Sequence, residues 1–194
     1  MQANSATAFS ASSAYTVNGD LDLDGNSNSI GSLSGSGGSA FISNSGASAA
    51  VLTTGTNGTT IYAGRLQDDI STLGLTVAGT GTLVLTGNSN TYTGATTINS
   101  GATLQLGNNT ADGNLQGTTL VTDNGTLAFN LNTTHGFNNN INGSGGVTDA
   151  GTGTIILAPS SNNTYSGPTV INSGATLQAG NPTAFATGAT LSAF

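Results

Sequence analysis

Residues 78 to 108, AGTGTLVLTGNSNTYTGATTINSGATLQLGN, return almost unchanged at residues 150 to 181 as AGTGTIILAPSSNNTYSGPTVINSGATLQAGN. Gly79 recurs as Gly151 and Tyr92 as Tyr165, the offset growing by one where a residue has entered near Pro159 to Asn163. Tandem copying on this scale narrows the possible folds to stacked or arrayed units. A shorter period runs inside the long one. Leu85, Leu106 and Phe129 follow one another at nearly equal spacing, and Ile155 and Leu157 come after a comparable gap. Three units of about 24 residues per long repeat is the size expected of one β-solenoid coil.

The local pattern agrees. Leu83 and Leu85, Leu104 and Leu106, Leu127 and Phe129, and Ile155 and Leu157 alternate with threonine, valine or other residues, and Gly-rich turns bound each run. Alternation of this kind marks strands with one buried face. Helices are disfavoured, because Glu and Lys are absent and Gly or Asn interrupts every window of about ten residues. The expected class is all-β, a single parallel β-solenoid over residues 1–194. Residues 1–27 are expected to form an N-terminal coil or cap, and the long repeats to run near 78–149 and 150–194, the second truncated. Roughly eight coils stacked about 4.8 Å apart give a rod on the order of 40 Å long.

Gly, Ser, Thr and Asn make up 108 of the 194 residues, a composition that in another order would suit a disordered linker. On a solenoid the same residues have places. Glycines turn corners, Asn-Gly steps at Asn18, Asn57, Asn124 and Asn142 supply turn chemistry, threonines suit the outer face, and asparagines at matched corners such as Asn99 and Asn172 are expected to stack. Charge is scarce: eight Asp, one Arg, one His and a net charge of -7. One cation cannot neutralise a phosphate backbone, so nucleic acid is excluded as a partner. No apolar run approaches the ~18 residues of a membrane span, so this segment is not expected to insert in a bilayer. Disulfides and thiolate metal sites are excluded by the lack of cysteine. Met1 leads into the polar stretch Gln2 to Ser13 with no secretory leader, so an extracellular location implies a processed or excised segment.

The block GTGTLVLTGNSNTYTGATTINSGATLQLGN resembles the autotransporter-associated β-strand repeat, also called the passenger-associated transport repeat. Both copies carry its Gly-Thr-Gly-Thr opening, its Thr-Tyr-Thr/Ser-Gly turn and its Gly-Ala-Thr-Leu-Gln strand, with Ser166 and Pro168 as departures in the second. The resemblance extends over most of the chain from about Asn28. It implies a right-handed parallel β-helix from a bacterial passenger at the cell surface or secreted, in a repeat class associated with export and folding outside the outer membrane.

Sites for chemistry are few. Asp20, Asp22 and Asp24 alternate with leucines and resemble the start of a calcium loop. The twelfth position is Gly31 rather than Glu, which favours a solvated strand face over a weak cation site. His135, in Asn-Thr-Thr-His-Gly, is expected at a surface turn with no partner set for metal or nucleophilic chemistry. Asp68, Asp69 and Arg65 are the one place where acids and a base lie close in sequence, expected as a surface loop with a local ion pair. Thr80/Thr82 and Thr152/Thr154 are too far apart for the ladder of an ice-binding solenoid. Tyr92 and Tyr165 are expected as packing and hydrogen-bonding posts rather than sugar platforms. No catalytic, cofactor-binding or metal residue is expected.

The expected function is therefore a non-enzymatic structural segment of an autotransporter-type passenger, a stalk or adhesin scaffold whose stepwise folding aids export. A self-assembling fibre subunit pairing through its ends is the alternative, and a polysaccharide-binding or polysaccharide-cleaving β-helix stands behind it. A host or neighbouring-cell surface ligand has no motif here to name it.

Overall fold

β-Branched and aliphatic residues in alternation, punctuated by Gly and Asn, form short strands that all pair in parallel. In the computed structural model, residues 1–116 and 120–194 are described, and among them the regular structure is all strand. The strands stack in three columns. The first column holds Asn28–Ile30, Ala50–Thr56, Leu73–Gly79, Thr96–Ile98, Leu120–Asp123 and Asn140–Asn142. The second runs through Thr59–Tyr62, Thr82–Leu85, Thr103–Leu106, Thr126–Phe129, Gly146–Asp149, Thr169–Ile171 and Leu191–Ala193. A bridge from Gly35 to Tyr62 continues it to Ser32–Ser34 and then Ala14–Thr16. The third is in two pieces, Asp20–Asp22, Phe41–Ser43 and Arg65–Leu66, then His135–Phe137, Thr154–Leu157 and Thr176–Ala179. The chain visits the columns in turn, so the molecule is a β-solenoid of about eight turns.

Register places like on like. Leu83 and Leu85 lie over Thr60 and Tyr62 and under Leu104 and Leu106, which lie under Leu127 and Phe129. The two leucine pairs, Tyr62, Leu127 and Phe129 are all 0% exposed, so a narrow interior is filled by one or two side chains per strand. Outward positions ladder as well. Thr53, Thr76, Thr97 and Thr122 stand in register on one face, and Thr59, Thr82, Thr103 and Thr126 on the next. The threonine ladder absent at the spacing of the long repeat is present at the spacing of the coil.

Coils in the repeat region are shorter than expected, and the consequence is large. Thr82, Thr103, Thr126 and Gly146 are successive partners in one column, so three turns from Thr82 end at Gly146. The long repeat carries Thr82 further, to Thr154, which lies in the third column. One long repeat is therefore three turns and one further face, not three turns. In the first copy, Leu73–Gly79 lies in the first column and Thr82–Leu85 in the second; in the second copy, the matching Gly146–Asp149 and Thr154–Leu157 lie in the second and third. Each copy keeps its internal strand–turn–strand geometry and is rotated by one face. Consequently Asn99 and Asn172 do not stack, although each makes the equivalent bond to the preceding coil, its N–H donating to Val77 O and to Asp149 O at 2.9 Å. The two threonine pairs sit on different faces for the same reason.

The N-terminal residues wrap the first full coil. Gln2 bridges Asp22, Ala3 N–H donates to Asp22 O at 2.8 Å, and the Asn28 side chain joins Ser5 O and Phe9 N–H. At the other end Leu191 and Phe194 are 60% and 81% exposed. One glycine shows how closely coils approach: Gly79 has φ +87°, and a Cβ there would overlap the Thr56 carbonyl oxygen.

The rotated repeat is testable by cross-linking, because the chain has no native cysteine. Thr97→Cys with Thr122→Cys, partners in register on the outer face, should oxidise to an intrachain disulfide. Thr97→Cys with Val170→Cys, equivalent positions of the two long repeats, should keep both thiols free in a thiol assay of the oxidised protein.

Candidate functional site

Five of the eight aspartates fall into two groups with different chemistry. The first fastens one coil to the next. Asp68 accepts from Thr93 N–H and from Thr93 Oγ1–H, the latter at 2.5 Å, and from Leu73 N–H at 2.8 Å. Asp22 accepts from Ser45 N–H at 2.9 Å and Ser45 Oγ–H at 2.5 Å, with Asp24 N–H and the Gln2 amide adding to it. Asp112 accepts from Asn132 N–H at 2.9 Å and from the Thr133 hydroxyl. Asn124 does the same for Ser144, bonding its N–H and hydroxyl at 3.2 and 3.3 Å. In each lock a short side chain on one coil takes backbone and hydroxyl donors from the coil above. A carboxylate strengthens such a lock because charge-assisted bonds are stronger than neutral ones. Burial pushes the Asp22 carboxyl up, but its bonds from Ser45, Asp24 and Gln2 outweigh that and hold it below the usual carboxylate range.

Buried asparagines run a second set of bonds, Asn90 and Asn114 beside the third column and Asn163, one face round, beside the first. Asn90 accepts from Leu66 N–H at 2.8 Å, and its amide nitrogen donates to Asn114 O at 3.0 Å. Asn114 in turn accepts from Asn90 N–H at 3.1 Å and donates to Asn88 O at 2.7 Å. Asn163 accepts from Ile141 N–H at 2.8 Å and donates to Ala184 O at 2.6 Å. Asparagine stacking is thus real, with other members than Asn99 and Asn172.

The places singled out in the sequence resolve as follows. Asp20, Asp22 and Asp24 share a strand and its turn, but Asp22 is taken up by Ser45, and Asp24 sits at φ +46°. Among the described residues no three acids or histidines lie close enough together to hold a metal ion. The expected ion pair of Arg65 gives way to a different arrangement. Arg65 lies over the ring of Phe41, its register partner, at 5.9 Å, while Asp68 turns to Thr93. His135 is in a strand, not a turn, in register with buried Ile155. It borders a notch of about 400 Å³ with Leu115, Gln116, Phe137, Asn139 and Ser160. The described lining holds amides, one imidazole and one hydroxyl, but no carboxylate.

Tyr92 and Tyr165 are interior posts, 0% and 1% exposed, each bonded to the hydroxyl of a threonine in the strand that follows, Thr96 at 2.6 Å and Thr169 at 2.7 Å. Burial raises both phenols above their ordinary value, so they stay neutral. Neither ring offers a face to a sugar.

The second group of acids is not among the residues that the sequence singles out. Asp123 and Asp149 are wholly buried, in inward register with Ile98 and with Phe129 and Ile171. Burial pushes each carboxyl up to about 6, and the nearby amides of Gly125 and Leu127, and of Gly151, only partly offset it. The available signal was Val-Thr-Asp, present twice, with Asp149 standing where the first long repeat has Val77.

The family model described as passenger-associated-transport-repeat matches residues 75–106 and 147–179. The chain carries two passenger-associated transport repeats. Each matched repeat contains one Tyr–Thr post and begins within a column strand, the first copy on one face and the second on the next. No curated protein and no solved structure matches the chain. Between the transport repeats lie Asp112, Asp123 and Asn124, so the segment linking the copies supplies both a lock and a buried acid.

The locks carry stability rather than chemistry, which Asp68→Ala measures. Removing the carboxylate leaves Thr93 N–H and Leu73 N–H without their acceptor and should cost roughly 1–3 kcal/mol, read as a lower denaturant midpoint. Asp69→Ala, at an exposed neighbour, should leave the stability within about 0.5 kcal/mol of the parent.

Proposed function

We propose that this chain is a non-enzymatic structural segment of a secreted or surface-displayed autotransporter passenger, a stiff stalk whose coils fold one upon another and which carries adhesive parts beyond itself. The observation that carries the proposal is the continuous second column, from Ala14–Thr16 to Leu191–Ala193, combined with two matched transport repeats. Each new coil finds a complete row of backbone donors and acceptors on the coil before it. Local bonds such as Tyr92 to Thr96 shape a coil internally, while locks such as Asp68 to Thr93 fasten it to its neighbour. Folding of this kind needs no contact between distant coils, so it can advance as the chain emerges at a surface and hold each gain. Low charge suits the process, since stacking brings few like charges together.

The fibre alternative draws on the exposed apolar side chains of Leu191 and Phe194. Sedimentation across a concentration range separates the two readings: a stalk segment stays monomeric, and a fibre subunit grows.

Export is tested with Gly79→Val placed in the full-length reading frame of the secreting bacterium. A side chain there overlaps the Thr56 carbonyl and interrupts stacking. Surface display, read as protease-accessible passenger on intact cells, should fall several-fold. Wild-type display of a variant shown by circular dichroism to be unfolded would remove the export role.

A further inference from the structure

Two carboxyl groups occupy interior positions in rows that otherwise hold mainly apolar side chains, with Thr54 the one neutral polar member of the Asp123 row. Asp123 continues the inward row Val77, Ile98, and Asp149 sits between Phe129 and Ile171. Each is 0% exposed, and Oδ2 of each has no hydrogen-bond partner. Their other oxygens close turns at the corner: Asp123 Oδ1 accepts Gly125 N–H at 3.0 Å, and Asp149 Oδ1 accepts Gly151 N–H at 3.4 Å. The corner itself does not require an acid, because Val77 makes the equivalent corner in the first repeat. A buried carboxylate with one bare oxygen is strongly disfavoured, whereas the neutral acid resembles the amides and threonines already in the interior.

We propose that Asp123 and Asp149 are a proton-responsive element: neutral, they pack as members of the interior rows, and ionised, they loosen the coils from residue 120 to residue 171. Among the described residues no compensating cation faces either one. Asp123 is met by Ile98, by the backbone of Gly145 and by Tyr165, whose phenol stays neutral; Asp149 is met by Phe129, Ile171 and its own turn at Gly151. Arg65 lies over Phe41 in an earlier coil, and His135 belongs to the third column.

The sign of the effect follows from linkage. An acid whose native value is raised to about 6 against an unfolded value of about 3.9 holds its proton longer in the folded chain. Stability therefore falls as pH rises from about 4 to about 6 and is level above that. Asp22 acts in the opposite direction, its contribution being present above the ordinary carboxylate value and lost as pH falls through its lowered one. The stability maximum should lie in mild acid, with the N-terminal coils failing towards low pH and the coils around Asp123 and Asp149 yielding towards neutrality.

The direct test is a carboxyl ¹³C NMR titration of the intact chain, in which two of the eight aspartates should titrate well above the rest. Melting at pH 5 and pH 7.5 gives the consequence: the parent should have the lower Tm at pH 7.5. Asp149→Val, taking the residue of the first repeat, should raise Tm at pH 7.5 and shrink the difference between the two conditions, and adding Asp123→Asn should remove it. Amide exchange corrected for intrinsic rate should lose protection at pH 7.5 chiefly across 120 to 171. All eight aspartates titrating below about 4.5, or a parent Tm that is flat or rising from pH 5 to pH 7.5, overturns the proposal. If a variant does not fold, the titration of the parent decides alone.

Discussion

In-register parallel stacking of backbone on backbone is the constraint on which the rest of this molecule depends. Once a strand such as Thr82–Leu85 lies between Thr59–Tyr62 and Thr103–Leu106, residues 83 and 85 must point inward and 82 and 84 outward. That single condition makes a core from a chain with few large apolar residues, because Leu83 needs only Leu104 above it, and Leu104 only Leu127. It also makes glycine obligatory where coils touch closely, as at Gly79 over Thr56. The same stacking gives the backbone donors and acceptors of each strand their partners on the neighbouring coils.

Stacking alone leaves the corners free, and the aspartate and asparagine side chains hold them. Asp22, Asp68, Asp112 and Asn124 each take donors from a serine or threonine on the next coil, and Asn90, Asn114 and Asn163 bind backbone from buried positions on two faces. These are short side chains that reach across one interstrand spacing. Three of the eight aspartates, Asp22, Asp68 and Asp112, serve as such fasteners. Arg65 fits the same economy, spread over Phe41 rather than reaching for an acid.

Much of this is open to a reader of the sequence. Alternation in Leu83/Leu85 and Leu104/Leu106 locates strands to within a residue, and Tyr92 and Tyr165, expected as posts, are posts. Two of the departures, the coil length and the Asn99/Asn172 pairing, share one origin. Dividing the long repeat evenly by the spacing of its clearest apolar pairs gives three coils. Register shows that three turns fall short of the repeat, ending at Gly146 rather than Thr154, so the surplus carries the second copy round to the next face. The stacking of Asn99 on Asn172 fails with it. Asp68 has Arg65 as its neighbour in sequence, whereas its partner Thr93 lies one coil up.

The sequence by itself determined that the chain repeats, that its strands bury one face each, and that its eight acids far outnumber its one arginine. Those are properties of residue type and period, which local sterics and hydrophobicity impose wherever the segment lies. Only the tertiary structure decided which face each copy occupies, which asparagines stack, and which aspartates are fasteners and which are buried. These depend on how much chain one turn consumes, a sum over corners whose lengths vary with each Gly, Asn and insertion. A small shortening of each coil is invisible in any one strand and, accumulated over the long repeat, turns the second copy by a whole face.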